Sequence, residues 1–267
     1  MAIIRIDDPE DPRVAAFRDI KERDLTGRDG RFVAEGRVVL NVLTSRQSLC
    51  RPVSLLLAEN RVEGMADVLA RLDPVVPAYV AGQAVLDRVA GFPLHRGILG
   101  LGEKPAPVDA ATLLADLPER AVVVAACGIG NHDNMGGIFR AAAAFGAAAV
   151  LLDQGCCDPF YRKAIRVSVG AVLRTPMATG LEPMAMLDAL VAAGFEAVAM
   201  TPSATETLER IKPGRRTAIV LGAEGPGLPE AVIARCRPAA IRMAGGFDSL
   251  NVATAGAIAL HHFAQQA

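Results

Sequence analysis

The sequence lacks the features that would place the chain in a membrane or around a metal ion. No apolar run approaches the roughly 18 uncharged residues that a membrane-spanning helix needs, and the N-terminal stretch MAIIRIDDPEDPR turns acidic before a signal-like segment develops. The five cysteines form no CxxC pair, and the four histidines show no metal-ligand spacing. We therefore expect a cytoplasmic protein with free cysteines, no metal and no membrane association.

A strong charge of one sign is also missing, since 28 Lys and Arg residues face 29 Asp and Glu residues, for a formal net charge of -1. This balance provides no global attraction for phosphate. Any binding of nucleic acid would therefore have to come from local basic patches or from a dimer surface.

A redox role for the adjacent Cys156 and Cys157 is disfavoured on two grounds. A disulfide between neighbouring cysteines is strained, and the nearby Asp153 and Asp158 would oppose formation of a thiolate. We assign these two cysteines no function.

What the sequence does contain is ample apolar material, with 52% hydrophobic and 21% charged residues among 267. This composition predicts a folded chain without disorder, and the length favours two modest domains. Residues 103–118 are rich in Pro and Ala and are predicted to be a linker. They separate an N-terminal domain, residues 1–102, from a C-terminal domain, residues 119–267.

The N-terminal part alternates strand-like stretches such as PVSLLLA and PAYVAG with helix-like pieces such as MADVLARL, which predicts a small α/β unit. Its arginines permit two interpretations, either a solvated surface or contacts with RNA phosphates. The arginines in question are Arg28, Arg31, Arg37, Arg46 and Arg51.

The C-terminal part contains continuous Ala, Val, Ile and Leu runs at 121–127, 147–153, 195–201, 217–222 and 239–243, with helix-like segments between them. Continuous rather than alternating apolar runs are typical of a parallel sheet covered by helices on both faces. Ligands of such α/β sheets usually bind beyond the carboxyl ends of the strands. The loops that follow these strands are therefore the first places to look for chemistry.

Three of these loops contain candidate functional residues. In the first, glycines precede a helix that Asn134 could cap and that carries Arg140 in front of an Ala-rich face. The second places Glu224 among Gly222, Gly225 and Gly227. In the third, Ser249, Leu250 and Asn251 open an apolar helix for which Ser249 is the natural N-cap. Structural roles as ion-pair partners or caps remain open for each of them.

Taken in order, the three loops resemble the three motifs of the SpoU family of RNA methyltransferases. Asn134, Gly136 and Arg140 match the pattern N-x-G-x-x-x-R. The second motif, L-G-x-E-G-x-G, is matched by Leu221, Gly222, Glu224, Gly225 and Gly227. The third, I-x-M followed by S-L-N, is matched by Ile241, Met243, Ser249, Leu250 and Asn251. The resemblance covers residues 119–267, and the N-terminal part is more loosely similar to a ribosomal-protein-like RNA-binding domain.

The resemblance implies a parallel sheet whose C-terminal chain forms a deep trefoil knot, a homodimer, and S-adenosylmethionine as methyl donor. Donor-binding residues would be Thr201, Leu221, Gly222, Gly227, Ile241, Met243 and Leu250. Arg140 would engage the ribose 2'-hydroxyl and a neighbouring phosphate, with the support of Asn134, Glu224, Ser249 and Asn251. The implied acceptor is RNA, and the additional N-terminal domain favours 23S ribosomal RNA over transfer RNA.

Two other classes of function remain as alternatives. A noncatalytic RNA-binding or ribosome-assembly protein could keep the fold without the chemistry, although the presence of Arg140, Glu224 and Asn251 argues against it. A dinucleotide-dependent oxidoreductase would also suit glycine-rich loops in an α/β pattern, but the strict GxGxxG sequence is absent.

Overall fold

The computed structural model describes residues 3–18, 30–245 and 248–264. Its strands are β1 (Ile3–Ile6), β2 (Arg31–Glu35), β3 (Arg51–Ala58), β4 (Ala78–Ala81), β5 (Ile98–Glu103), β6 (Ala121–Ala126), β7 (Ala149–Asp153), β8 (Met177–Leu181), β9 (Glu196–Met200), β10 (Arg216–Leu221) and β11 (Arg237–Ala239). Its helices are α1 (Arg37–Leu43), α2 (Ala66–Leu69), α3 (Gln83–Ala90), α4 (Ala110–Ala115), α5 (His132–Ala144), α6 (Arg162–Val167), α7 (Pro183–Ala192), α8 (Glu230–Ile233) and α9 (Val252–Ala264). No helix within these ranges is long and apolar enough to cross a membrane.

The chain divides into two units. The first comprises Met1–Pro105 and Phe160–Arg174, and the second comprises Ala106–Pro159 and Thr175–Ala267. A helix, α4, lies within residues 103–118, where the sequence predicted only a linker. The side chain of Asp109 accepts a hydrogen bond from the backbone N–H of Thr112 and so caps this helix.

The first unit is built on a mixed five-stranded sheet in the order β1-β4-β3-β5-β2. Strands β1, β4 and β3 run parallel, whereas β5 runs antiparallel to both β3 and β2. One face of the sheet packs against a buried apolar cluster that includes Phe17, Leu56, Leu86 and Leu99. The unit therefore has a hydrophobic core of its own.

A short segment from far along the chain completes the first unit. Phe160 stacks at 5.3 Å between ring centroids on Phe32 of β2, and the backbone N–H of Leu49 donates to the carbonyl of Leu173. The buried carboxylate of Glu35 accepts a hydrogen bond of 2.6 Å from the guanidinium of Arg162 on α6. An ion pair with a buried carboxylate thus joins α6 to β2.

Replacing Arg162 with alanine should lower the free energy of unfolding by about 2 to 3 kcal/mol, because the Glu35 carboxylate would stay buried without its main partner. The double variant Arg162→Met with Glu35→Leu removes both charges and should recover most of this loss. Urea unfolding measures both effects. Equal stability of Arg162→Ala and the wild-type protein would contradict the assignment of a stabilising pair.

The second unit contains a six-stranded sheet, ordered β11-β9-β10-β6-β7-β8, in which every described strand pair is parallel. This is the α/β arrangement with a parallel sheet that the sequence predicts. Because all the strands point the same way, the loops that follow β6, β9, β10 and β11 emerge at one edge of the sheet. These four strands are consecutive in the sheet, in the order β11-β9-β10-β6, so their loops lie side by side.

Candidate functional site

The loop after β10 folds tightly back on itself. The backbone N–H of Gly227 donates to the carbonyl of Ala223 at 3.0 Å, and Gly225 and Gly227 adopt positive φ angles of +86° and +72°. A Cβ placed on Gly222 would lie 2.4 Å from the carbonyl carbon of Gly227, so only glycine fits there. The turn presents Glu224 near its tip.

Helix α5 begins one turn earlier than the sequence predicted. Its N-cap is Asn131, whose side-chain oxygen accepts a hydrogen bond from the backbone N–H of Asp133. The prediction that Asn134 caps this helix is therefore wrong, because Asn131 already occupies the position at which the chain leaves the extended conformation. Asn134 lies inside the first turn and is only 5% exposed.

Helix α9 shows a second corrected cap. The side-chain oxygen of Asn251 accepts hydrogen bonds from the backbone N–H groups of Ala253 and Thr254, at 3.0 and 3.2 Å. Ser249 lies two residues before this position, so its predicted role as N-cap is wrong. Capping uses the side-chain oxygen of Asn251 and leaves its side-chain nitrogen free to donate elsewhere.

That nitrogen joins the three loops. Asn251 Nδ2 donates to Asn134 Oδ1 at 2.8 Å and lies 3.3 Å from Glu224 Oε1. We call Asn134, Glu224 and Asn251 the polar cluster. An amide that donates to two acceptors while its oxygen caps a helix has a fixed orientation, and it fixes the carboxylate and the other amide in turn.

A cavity of about 420 Å³ opens beside the polar cluster. Its walls come from the loops after β9, β10 and β11 and from the start of α9. They include all seven residues that the motif resemblance assigns to the donor, namely Thr201, Leu221, Gly222, Gly227, Ile241, Met243 and Leu250. Glu224, Ser249 and Asn251 line the same cavity. The lining thus combines apolar side chains with glycine backbone that a ligand can approach closely.

A smaller cavity of about 220 Å³ also adjoins the polar cluster. Its walls are the loop after β6 and the beginning of α5, and they consist of Gly128, Ile129, Gly130, Asn131, Asn134, Ala223, Glu224 and Val252. Glu224, Ala223 and Val252 line both cavities. The carboxylate of Glu224 therefore stands where two bound molecules could meet.

Comparison with known proteins agrees with this architecture. The model of the SpoU rRNA Methylase family matches residues 121–261. An uncharacterized tRNA/rRNA methyltransferase of Mycobacterium bovis is 38% identical over 265 residues, which cover 95% of this chain and 89% of that protein. The chain belongs to the SpoU rRNA Methylase family.

Solved structures extend the likeness to both units. The AdoMet-bound rRNA methyltransferase of Sinorhizobium meliloti has a TM-score of 0.81 at 24% identity, covering 99% of this chain and 98% of that one. An RNA 2'-O ribose methyltransferase gives a TM-score of 0.80 at 25% identity, covering 98% and 99%. The likeness to a SpoU fold therefore includes the N-terminal unit as well as the matched family region.

Arg140 is the motif residue that the structure does not bring to the cluster. It is exposed on α5, six residues after Asn134, which corresponds to about 9 Å along the helix axis. Within the described part of the chain, the residues that line the two cavities do not include Arg140. Arg140 is therefore an exposed residue outside the two cavities that Glu224 and Asn251 line.

Several residues of this SpoU site are not predicted from the sequence. They are Asn131 and Ile129 in the smaller cavity and Ala223, which lines both cavities. A positional signal existed for all three, since each lies between the end of a buried strand and the start of a helix. Ala and Ile carry no chemistry of their own, so residue type alone could not have identified them.

The arginines of the first unit are only partly available for RNA. Arg37 pairs with Asp67 at 3.0 Å, and Arg51 pairs with Glu103. Arg31 and Arg46 are exposed, whereas Arg28 falls outside the described residues.

Across the described ranges, no group of three His, Cys, Asp or Glu side chains is arranged to hold a metal ion.

Proposed function

We propose that the protein transfers a methyl group from S-adenosylmethionine to a ribose 2'-hydroxyl of RNA, with ribosomal RNA as the favoured acceptor. The observation that carries the proposal is the polar cluster at the junction of two cavities, one of a size and lining suited to a nucleoside. Support also comes from a relative named tRNA/rRNA methyltransferase and a neighbour named RNA 2'-O ribose methyltransferase.

The larger cavity fits the methyl donor. Ile241, Met243 and Leu250 provide apolar surface for the adenine ring, while the bare backbone at Gly222 and Gly227 admits close approach of the adenosine moiety. S-adenosylmethionine supplies a methyl group on a positively charged sulfur, which leaves as a neutral thioether. The protein must therefore bring the acceptor oxygen in line with that methyl group and assist loss of the hydroxyl proton.

The smaller cavity is the place for the acceptor ribose in this proposal. Glu224 can accept a hydrogen bond from a ribose hydroxyl, and its orientation is fixed by Asn251. Asn134 lines the same cavity, and its side-chain oxygen accepts a hydrogen bond from Asn251. Arg140 would stabilise the negative charge that develops on the attacking oxygen and bind the adjacent phosphate.

We propose a homodimer because Arg140 does not line either cavity of its own chain. In a dimer with twofold symmetry, Arg140 of one copy can complete the site of the other, and the basic surface available to RNA doubles. The first unit would recruit the RNA. The C-terminal chain from β10 through β11 to α9 would form the trefoil knot, with its loops enclosing the donor.

The test of the proposal is methyl transfer itself. Purified protein and labelled S-adenosylmethionine are incubated separately with undermethylated ribosomal RNA and transfer RNA. Label in an alkali-stable 2'-O-methyl dinucleotide establishes ribose methylation, and the RNA that carries the label identifies the acceptor class. A rise in melting temperature with the donor but no label in either RNA would favour a binding protein, and no rise would remove the central claim.

The two roles of Asn251 can be separated. Asn251→Ser keeps a capping oxygen but lacks the amide donor. Its free energy of unfolding should therefore lie within about 0.5 kcal/mol of the wild-type value. Asn251→Ala lacks both and should lose about 1 kcal/mol. Both variants should lose methyl transfer by about a hundredfold, because Glu224 and Asn134 are no longer oriented.

Urea unfolding and single-turnover methyl transfer measure these two effects independently. If Asn251→Ser is as active as wild type, Asn251 contributes only a helix cap and the polar cluster has no role in the reaction.

A further inference from the structure

The loop after β6 forms one wall of the smaller cavity, and residues outside the cavity form hydrogen bonds to its backbone. The loop consists of residues 127–131, which follow β6 and lead into α5. Gly128 has a φ of +68°, and a Cβ built on it would lie 3.3 Å from the Cβ of Ala223 on the opposite wall. A small displacement of this loop would therefore change the width of the cavity.

A neighbouring segment, residues 153–157 at the end of β7, holds the first loop through the backbone of that loop. The buried carboxylate of Asp153 accepts from the backbone N–H of Gly128 at 2.9 Å and from that of Gly155 at 3.0 Å. A single carboxylate oxygen thus joins the two loops. Asp153 is 7% exposed and has no place in the chemistry proposed above.

Cys156 adds two further contacts. Its sulfur accepts from the backbone N–H of Ile129 and donates to the carbonyl of Ala126, each at 3.4 Å. The backbone N–H of Cys157 donates to the carbonyl of Ile129 at 2.8 Å. Burial raises the pKa of the Cys156 thiol to about 12, which keeps the proton that the second contact requires.

We infer that Asp153 and Cys156 are positioning residues that set the width of the acceptor cavity by holding the loop 127–131. The inference rests on the proposed function, because the smaller cavity is taken to receive the ribose. Neither side chain touches either cavity, so both act through the backbone of Gly128 and Ile129. The thiol of Cys156 therefore serves as a hydrogen-bonding group, and the contribution of Cys157 comes from its backbone N–H.

The inference predicts a selective defect on the acceptor side. Asp153→Ala and Cys156→Ala should lower kcat/KM for RNA by tenfold or more, since misplacement of a reacting group by about 1 Å can cost a hundredfold. The Kd for S-adenosylmethionine should stay within about twofold, because neither residue reaches the larger cavity. Asp153→Asn and Cys156→Ser keep hydrogen-bonding atoms and should recover most of the loss.

Cys236→Ala is the matched control, since Cys236 is another half-buried thiol of the same unit that packs against the apolar core. It should leave both constants unchanged. Hydrogen exchange of residues 127–131 provides a readout that needs no substrate: exchange at Gly128 and Ile129 should accelerate in both alanine variants and not in Cys236→Ala.

The outcomes separate the two proposals. If the wild-type protein methylates no RNA, the proposed function fails, and exchange alone still decides whether Asp153 and Cys156 hold the loop. Unchanged exchange with kcat/KM within twofold of wild type overturns the inference. A parallel loss of donor binding and RNA activity also overturns it, because that result describes general destabilisation. If Asp153→Ala does not fold, hydrogen exchange, kcat/KM for RNA and the donor Kd are compared with wild type in Asp153→Asn and Cys156→Ala instead.

Discussion

Replacing Arg140 with alanine is expected to abolish methyl transfer, with a fall in kcat of about a thousandfold, while the Kd for S-adenosylmethionine changes by less than about twofold. The guanidinium is exposed on α5 and lines neither cavity of its own chain, so its removal leaves the larger cavity intact. In the proposed function, the developing alkoxide and the RNA phosphate would then lack their cation. Arg140→Lys should recover little, since an ammonium group lacks the planar pair of donors.

Single-turnover methyl transfer and equilibrium donor binding measure the two quantities. Arg235→Ala is the control, because Arg235 is also a surface arginine of the second unit and pairs with Asp188 there. Equal losses of donor binding and turnover in Arg140→Ala would contradict a catalytic role.

The dimeric arrangement has a sharper test. Arg140→Ala and Glu224→Ala are each expected to be inactive, but refolding the two together gives mixed dimers in which one site has both wild-type residues. Random pairing should restore about a quarter of wild-type activity if Arg140 acts on the partner's site. If Arg140 acts within its own chain, the mixture stays inactive, because every site then lacks one residue.

Four of the five apolar runs predicted in the second unit correspond to β6, β7, β9 and β10, because these strands are continuous apolar runs with strong flanking signals. The fifth run, 239–243, overlaps β11 only at Ala239. The run at 217–222 corresponds to β10, and the run at 195–201 corresponds to β9. The sequence did not predict β8, whose sequence MATGL contains Gly180 at a φ of +73° and lies at the edge of the sheet. Edge strands need less apolar sequence than central ones, so periodicity does not reveal them.

Local signals were less successful where two residues compete for one role. Asn131 and Asn134 both precede an apolar helix, as do Ser249 and Asn251, and the sequence alone favoured the wrong member of each pair. The choice depends on where the preceding loop leaves the extended conformation, which is set by contacts with other loops. The same contacts bring Asn134, Glu224 and Asn251 together, so motif order predicted the residues of the site but not the hydrogen bonds between them.

Long-range packing had no sequence signal at all. Residues 160–174 lie within the region matched by the family model, yet they pack in the first unit through Arg162 and Phe160. Glu35 and Arg162 are 127 positions apart, and each is an ordinary surface residue by type. A boundary drawn from composition could not assign this segment, because composition is local and the ion pair is not.

Among glycine-to-alanine substitutions in the larger cavity, Gly222→Ala should weaken donor binding and stability the most. Its Cβ would lie 2.4 Å from the carbonyl carbon of Gly227 and the nitrogen of Leu228, and these backbone atoms cannot move aside as a flexible side chain would. The turn must open, which displaces Glu224 and the walls of the cavity. We expect a Kd for S-adenosylmethionine that is at least about a hundredfold weaker and a destabilisation of about 3 kcal/mol.

Substitutions at two other glycines distinguish steric overlap from backbone strain as the cause of the damage. Gly225→Ala has open space around the new Cβ but a φ of +86°, so it should cost only the strain of that backbone conformation, about 1 to 2 kcal/mol. Gly214→Ala meets only ordinary contacts of 3.8 Å or more and should leave binding and stability close to wild type. Calorimetric titration with the donor measures the loss of binding, and urea unfolding measures the loss of stability. We expect both losses to decrease in the order Gly222→Ala, Gly225→Ala, Gly214→Ala. If Gly225→Ala is as damaging as Gly222→Ala, the turn is limited by backbone conformation, and the close approach of Gly222 to Gly227 is not what shapes the cavity.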